Sequence, residues 1–365
     1  MFTVSKPFKT NKQIVAFLSV LIGLLMLPYV PVKLLGMSAA DKYRAVPLKY
    51  TNYSFIGEKM AQGGDVDILF VGSSDAWTAF DAVLIQEKLE QELGRPAVVL
   101  NFGTNWYGAE SYYVRVKDAL AHLEPKLIVV PDTDAAFTFP HELTHYVWSE
   151  PSGIAMSDIG ALQAITLRGA ALLGAPYLTV AATFSIWERQ PKAQHISSLE
   201  LMRRTNGFNG EKRGWLSHFD TDRTNRRIYE EEPFEPPVMT LSDLTYSGIE
   251  NDKFENLYYT YNDYQSYFIE RMEKISTANG AKFVTVSIPT HFKKKPHQKA
   301  IVRQLSREKR RSWPHLGVPM VEMFAGRDFE SMKNFYSNES HLNYSGARVF
   351  SSALIPSFVE ILENE

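Results

Sequence analysis

Two side chains stand where they could do chemistry together. Ser74 ends the stretch Val71-Gly72-Ser73-Ser74, directly after an apolar run and before a helical one. A serine at a strand-to-helix turn presents its hydroxyl to the open end of a sheet. The helix N-terminus there offers backbone N–H groups to a developing negative charge. Serine does not attack a carbonyl unaided; a base must take its proton. His341, in Asn338-Glu339-Ser340-His341-Leu342-Asn343, precedes the last helical stretch, which would return it to the same end of the sheet. Such a pair would carry out acyl transfer. The plainer alternative is that Ser73 or Ser74 only caps a helix and His341 is an ordinary loop histidine. A second constellation competes: His141-Glu142-Leu143-Thr144-His145 fits H-E-x-x-H, in which one helix face offers two zinc ligands and a glutamate base. Its setting is poor. Pro140 would start any helix at the motif itself, and between Glu150 and Glu188 only Asp158 could serve as a third ligand. A zinc peptidase is therefore the weaker reading, and no metal site is expected.

The elements that must position Ser74 and His341 follow from periodicity. Val66–Val71 reads as a strand, about Asp81–Leu93 as a helix stopped by Gly94-Arg95-Pro96, and Ala97–Phe102 as a second strand. A helix over Ser111–Leu123 and a strand over Leu127–Val130 continue the rhythm. Apolar strands alternating with helices indicate an α/β fold, a three-layer doubly wound parallel sheet covered on both faces. The rhythm then breaks. Ile159–Trp187 is strongly apolar and reads as helices capping the core or resting near a membrane surface, while residues 203–236 read as polar surface loops. It returns with a helix over Tyr261–Ala278, closed by Asn279-Gly280, strands at Phe283–Ile288 and near Pro319–Phe324, and a final helix over about Ser345–Leu362. The working edge of such a sheet lies at the carboxyl ends of its strands, which picks out Gly72–Asp75, Asn101–Gly108, Pro131–Asp134 and Pro289–His291.

On these residues the chain resembles the GDSL/SGNH hydrolases. Val71-Gly72-Ser73-Ser74 is similar to their first block, which ends in the nucleophile. Asn101-Phe102-Gly103 resembles the second, Asp132-Thr133-Asp134 takes the place of the third, and His341-Leu342-Asn343-Tyr344-Ser345-Gly346-Ala347 looks like the last. The order holds over roughly residues 65–135 and 280–362. More narrowly, the chain is similar to the membrane-anchored SGNH-like proteins of polysaccharide and cell-wall O-acylation systems, the alginate acetylation and DltD-like group. The resemblance implies Ser74 as nucleophile, His341 as base, Asn338 where the family has the orienting acid, and Gly103, Trp106, Gly108 and Asp134 around the oxyanion. The departures have chemical consequences. Asn338 can hold an imidazole but cannot balance its positive charge, and Glu339 stands one residue away from the acid's position. Asp134 replaces an oxyanion-donating Asn, and Trp106 stands near the place of the second block's other glycine, with Gly108 following.

Composition bounds the rest. A net charge of −2 over 365 residues gives no reason to expect a nucleic-acid partner, and the absence of cysteine excludes disulfides, thiolate zinc sites and Cys nucleophiles. Ile14–Val32 is apolar for 19 residues without one charge, close to the roughly 20 needed to cross a bilayer. Lys6, Lys9 and Lys12 precede it, which favours a cytoplasmic N-terminus and an extracytoplasmic remainder, periplasmic in a Gram-negative cell. A cleaved signal peptide processed near Ala39 and Ala40 is the alternative. The expected organisation is residues 1–36 as N-terminus and anchor, 37–64 as connector, and 65–362 as the SGNH-like domain with 140–250 inserted. Tyr258, Tyr259, Tyr261, Tyr264, Tyr267 and Phe268 form an aromatic patch, and Lys293–Lys295 and Arg307–Arg311 form basic clusters. Such features suit sugar rings and anionic polymers, though a core stripe and a solvated face are the simpler readings. The function this implies is a membrane-anchored serine O-acyltransferase or esterase acting on a polysaccharide or cell-wall glycan through an acyl-enzyme. It needs no cofactor and takes acyl groups from a membrane-bound donor protein. A non-catalytic SGNH-fold protein that binds glycan or scaffolds an acylation complex is the alternative.

Overall fold

The computed structural model describes residues 8, 10–26, 52–104, 108–131, 193–208, 263–289, 315–317, 335–337 and 341–364. Helix α1 (Asn11–Met26) comes first, followed by α2 (Tyr53–Gln62), β1 (Gly64–Phe70), α3 (Ser74–Ala79), α4 (Ala82–Leu93) and β2 (Val99–Asn101). Then come α5 (Ala109–Leu120), β3 (Leu123–Pro131), α6 (Ala193–Arg204), α7 (Asp263–Ala278), β4 (Lys282–Ser287), β5 (His315–Gly317) and α8 (Tyr344–Glu363). All strand pairs are parallel, in the order β2-β1-β3-β4-β5. The chain leaves β1 toward one edge and returns past it to build the other. That reversal opens a crevice beside the carboxyl end of β1.

The strands alternate strictly enough to sort the core into two layers. Leu69, Val71, Ile128, Val130 and Phe283 point to one face, where α2, α5 and α7 cover them. Ile68, Phe70, Leu127, Val129, Val284 and Val286 point to the other, beneath α3, α4 and α8. On that second face Phe70 stacks on Phe80 with ring centroids 4.2 Å apart, and Phe358 of α8 meets Phe70 edge-on at 5.8 Å. Both sides of the sheet are therefore dry, as the near-continuous apolar strands require.

Two sequence readings are corrected here, and a third lies outside the described residues. The connector does not run to residue 64, because α2 belongs to the core: Tyr53, Phe55, Ile56 and Met60 are buried against the first face. Its apolar residues recur at helical spacing within a stretch whose ends are polar, and the composition of the whole window hides them. Residues 203–236 do not begin as surface loop either. Thr205 and Phe208 are buried, and Asn206 receives the backbone N–H of Asn101 on its carbonyl (2.8 Å). This turn closes the β2 edge, which would otherwise present unpaired peptide groups. Gly207 permits the approach: its φ is +92°, and a side chain there would collide with the Asn101 carbonyl. The fifth described strand is His315–Gly317, and the strand expected near Pro319–Phe324 lies outside the described residues.

The expected membrane span, Ile14–Val32, is helical up to Met26, and its residues 27–32 lie outside the described ones. Among the described residues no helix is long and apolar enough to cross a membrane. Ile14, Val15, Phe17, Leu18, Val20 and Leu21 of α1 are exposed large apolar side chains.

Candidate active site

Ser74 is the first residue of α3. Ser73 caps that helix, its hydroxyl accepting the Asp75 N–H at 3.3 Å, so the capping role falls to the neighbour and leaves Ser74 for other work. Ser73 is itself paired with the fully buried phenol of Tyr112, which burial pushes well above the ordinary tyrosine range and keeps neutral. Ser74 Oγ meets His341 Nε2 at 2.8 Å, and both residues are buried, at 4% and 8% exposure. With the ring proton on Nδ1, the serine hydroxyl donates to Nε2, which is the geometry a general base needs.

His341 is held by the segments on either side of it. Tyr336 and Leu342 form an antiparallel bridge. Ser337 N–H donates to the His341 carbonyl (2.8 Å), and Asn343 N–H donates to the Phe335 carbonyl (3.0 Å). Asn343 then caps α8, its Oδ1 accepting the Gly346 N–H at 3.0 Å. Gly346 is obligatory, since a Cβ there would overlap the Phe335 carbonyl oxygen. Helix α8 is in turn fastened to the segment that follows the nucleophile. Ser351 Oγ accepts the Asp81 N–H (2.9 Å) and donates to the Ala79 carbonyl (3.2 Å), while Arg348 faces the Asp81 carboxylate at 3.4 Å. Burial outweighs that cation and the Leu84 N–H, so the Asp81 carboxyl lies above its ordinary value.

The floor of the site is set by Arg115, a fully buried residue of α5. Its Nη1 donates to the Gly72 carbonyl and to the Phe102 carbonyl, 2.9 Å each, so one guanidinium joins the loops after β1 and β2. Thr104 N–H adds a third tie, to the Gly72 carbonyl at 3.0 Å. Asn101 is the complementary brace: its amide donates to the Ala76 and Phe80 carbonyls, both at 3.0 Å, and its Oδ1 accepts the Gly103 N–H at 2.8 Å. Gly103, expected around the oxyanion, lies against α3, and its N–H is already bonded to Asn101. It serves close approach and not oxyanion binding. The amide beside the nucleophile is that of Ser74, which at the first helical position has no intrahelical acceptor.

Of the other expected site residues, Gly108 is buried at the N-cap of α5. Trp106, Asp134, Asn338 and Glu339 lie outside the described residues, as do His141, Glu142 and His145 of the zinc motif. Among the described residues no group of three or more His, Asp or Glu could hold a metal ion.

Two residues at the site had no role assigned from the sequence. Asp75, next to the nucleophile, places Oδ1 3.2 Å from His341 Nε2. Arg115 is the lone cation on the buried face of a helix whose neighbours Tyr112, Tyr113 and Val116 are core residues, and that contrast was the available signal. The arrangement as a whole can activate a hydroxyl for attack on an acyl carbon in a nearly dry setting. No protein-family model matches the chain, and no curated protein matches it.

Proposed function

We propose that this protein is a serine acyl-transfer enzyme of the GDSL/SGNH type, an O-acyltransferase or esterase acting on a glycan outside the cytoplasm and tethered by its N-terminus. The observation that carries the reading is the 2.8 Å contact between Ser74 Oγ and His341 Nε2 at the crevice of a 2-1-3-4-5 parallel sheet. Ser74 attacks an acyl ester while His341 takes its proton, and the alcohol leaves with that proton returned from Nε2. The acyl-enzyme then passes its group to a sugar hydroxyl or to water by the same route in reverse. The tether rests on the charge-free apolar run after Lys6, Lys9 and Lys12, and a membrane-bound donor would deliver the acyl group. The glycan rests on the resemblance to the O-acylation group and on the aromatic and basic stretches of the sequence.

Incubation with p-nitrophenyl acetate tests the chemistry, with mass spectrometry of the intact chain to detect one added acetyl group. The wild type turns over and is acetylated; Ser74→Ala is not, and His341→Ala is slower by about two to four orders of magnitude. If all three behave alike, the catalytic reading fails and the fold serves as a glycan-binding or scaffolding unit.

A further inference from the structure

We propose that Asp75 is a third catalytic residue, the carboxylate that balances the charge of His341 while it holds the serine proton. The proposal deepens the reading of Ser74 and His341 as an acyl-transfer pair and rests on it. Asp75 Oδ1 lies 3.2 Å from His341 Nε2, the same nitrogen that faces Ser74 Oγ at 2.8 Å. The histidine side chain is 10% exposed and the aspartate 38%, so the carboxylate stands at the mouth of the site and the imidazole behind it. The first helical turn fixes this placement. Ser73 Oγ accepts the Asp75 N–H, and Tyr112 is paired with Ser73, so the backbone that carries the Asp75 side chain is held at one capped end. The charged groups deeper in, Glu110 and Arg115 of α5, are fully buried.

The position of the acid on the attacking side of the ring gives it a particular role. Before attack, Nε2 carries a lone pair, and an ionised carboxylate 3.2 Å away repels it. During attack the Ser74 oxygen bonds to the acyl carbon, its proton moves to Nε2, and the carbonyl electron pair moves onto oxygen. The new N–H then lies between Ser74 Oγ and Asp75 Oδ1, and the repulsion becomes attraction. On collapse the leaving alkoxide takes the proton from Nε2, and Asp75 remains ionised throughout. An interaction that is poor in the ground state and good in the transition state accelerates the chemical step and does little for substrate binding. An acid that only oriented the ring would be expected on Nδ1, the nitrogen away from the serine. Asp75 therefore acts on the nitrogen that exchanges the serine proton, which an orienting acid does not.

The test is the kcat and KM of p-nitrophenyl acetate hydrolysis for wild type, Asp75→Asn and Asp75→Ala. The Asp75→Ala protein is assayed again with sodium formate, using sodium chloride at equal ionic strength as control. Because the carboxylate is partly solvent-screened, we expect kcat to fall roughly 10- to 30-fold in both variants, with KM nearly unchanged. Formate entering the vacated mouth restores part of the rate to Asp75→Ala, and none to Ser74→Ala or His341→Ala. If the wild type turns over and Asp75→Asn matches it, the role of Asp75 is refuted and the Ser74–His341 reading stands. A loss that formate does not repair, with KM rising in step, makes Asp75 a structural residue and also refutes the proposal. An inert wild type overturns both.

Discussion

Replacing Gly103 by alanine tests whether the serine is positioned by close backbone packing. A methyl group built on Gly103 would lie 2.6 Å from Trp77 N and 2.7 Å from Trp77 Cα, and 2.8 Å from Asn101 Oδ1. Two of these three atoms are the backbone of α3, so no side-chain rotation relieves the overlap. Ordinary contact begins near 3.4 Å, and α3 or the loop must therefore give way by about 0.8 Å. If α3 moves, the 2.8 Å Ser74–His341 contact opens to about 3.6 Å, where a hydrogen bond no longer holds. Misplacement on this scale costs roughly 100-fold in rate, and the overpacking about 1–3 kcal/mol in stability. The expected result is a Gly103→Ala protein that still folds, with a urea midpoint lowered accordingly and kcat/KM for p-nitrophenyl acetate down by about two orders of magnitude. Activity within threefold of wild type, at unchanged midpoint, would refute the argument that this glycine sets the place of the nucleophile.

Four further outcomes follow from the same geometry. Arg115→Met leaves the buried Gly72 and Phe102 carbonyls without their charged donor and should cost about 3 kcal/mol in urea unfolding. Burial opposes the Asp67 charge, but bonds from Arg95, the Val98 N–H and Lys126 outweigh it and hold the carboxyl below its ordinary 3.8. Its stabilisation is present above pH 3.8 and is lost as the pH falls below it, so wild type should lose stability in acid more steeply than Asp67→Asn. Asp81 has the opposite sign: its raised carboxyl favours the fold most below pH 3.8 and loses that contribution as pH rises through the folded value. Asp81→Asn, which keeps the cap, should therefore gain stability relative to wild type at pH 7 compared with pH 4 in thermal melts. Phe208→Ala should cost about 3–5 kcal/mol, the penalty of a core phenylalanine; a value below 1 would return residues 205–208 to the surface.

What the sequence made legible was what local pattern controls. The strands at β1, β3 and β4 and the helices α4, α5, α7 and α8 are recognisable because their apolar residues repeat at a fixed period between clear stop signals, such as Gly94 in its left-handed cap. Ser74 followed from the rule that chemistry gathers at strand ends, and His341 from its place just before the last helix. What stayed hidden depends on distant partners. Helix α2 is amphipathic only against a face formed by β1 and β3, and Thr205–Phe208 is buried only because β2 needs an edge. Asp75 had no partner in the sequence, because the residue that the fold brings beside it stands 266 positions away. The bonding of the Gly103 N–H to Asn101 is likewise a matter of loop closure, which no spacing reveals.

The tie between Ser74 and His341 joins residues 267 positions apart, and the same span separates Asp81 from Arg348. Ser74 is therefore synthesised well before His341. Until α8 docks, the chain carries a serine with no means of losing its proton. Closing so long a loop costs entropy, which the packing of α8 against α3 and α4 helps to offset. The Ser74–His341 contact thus forms only with long-range assembly, and its presence reports that α3 and α8 have come together.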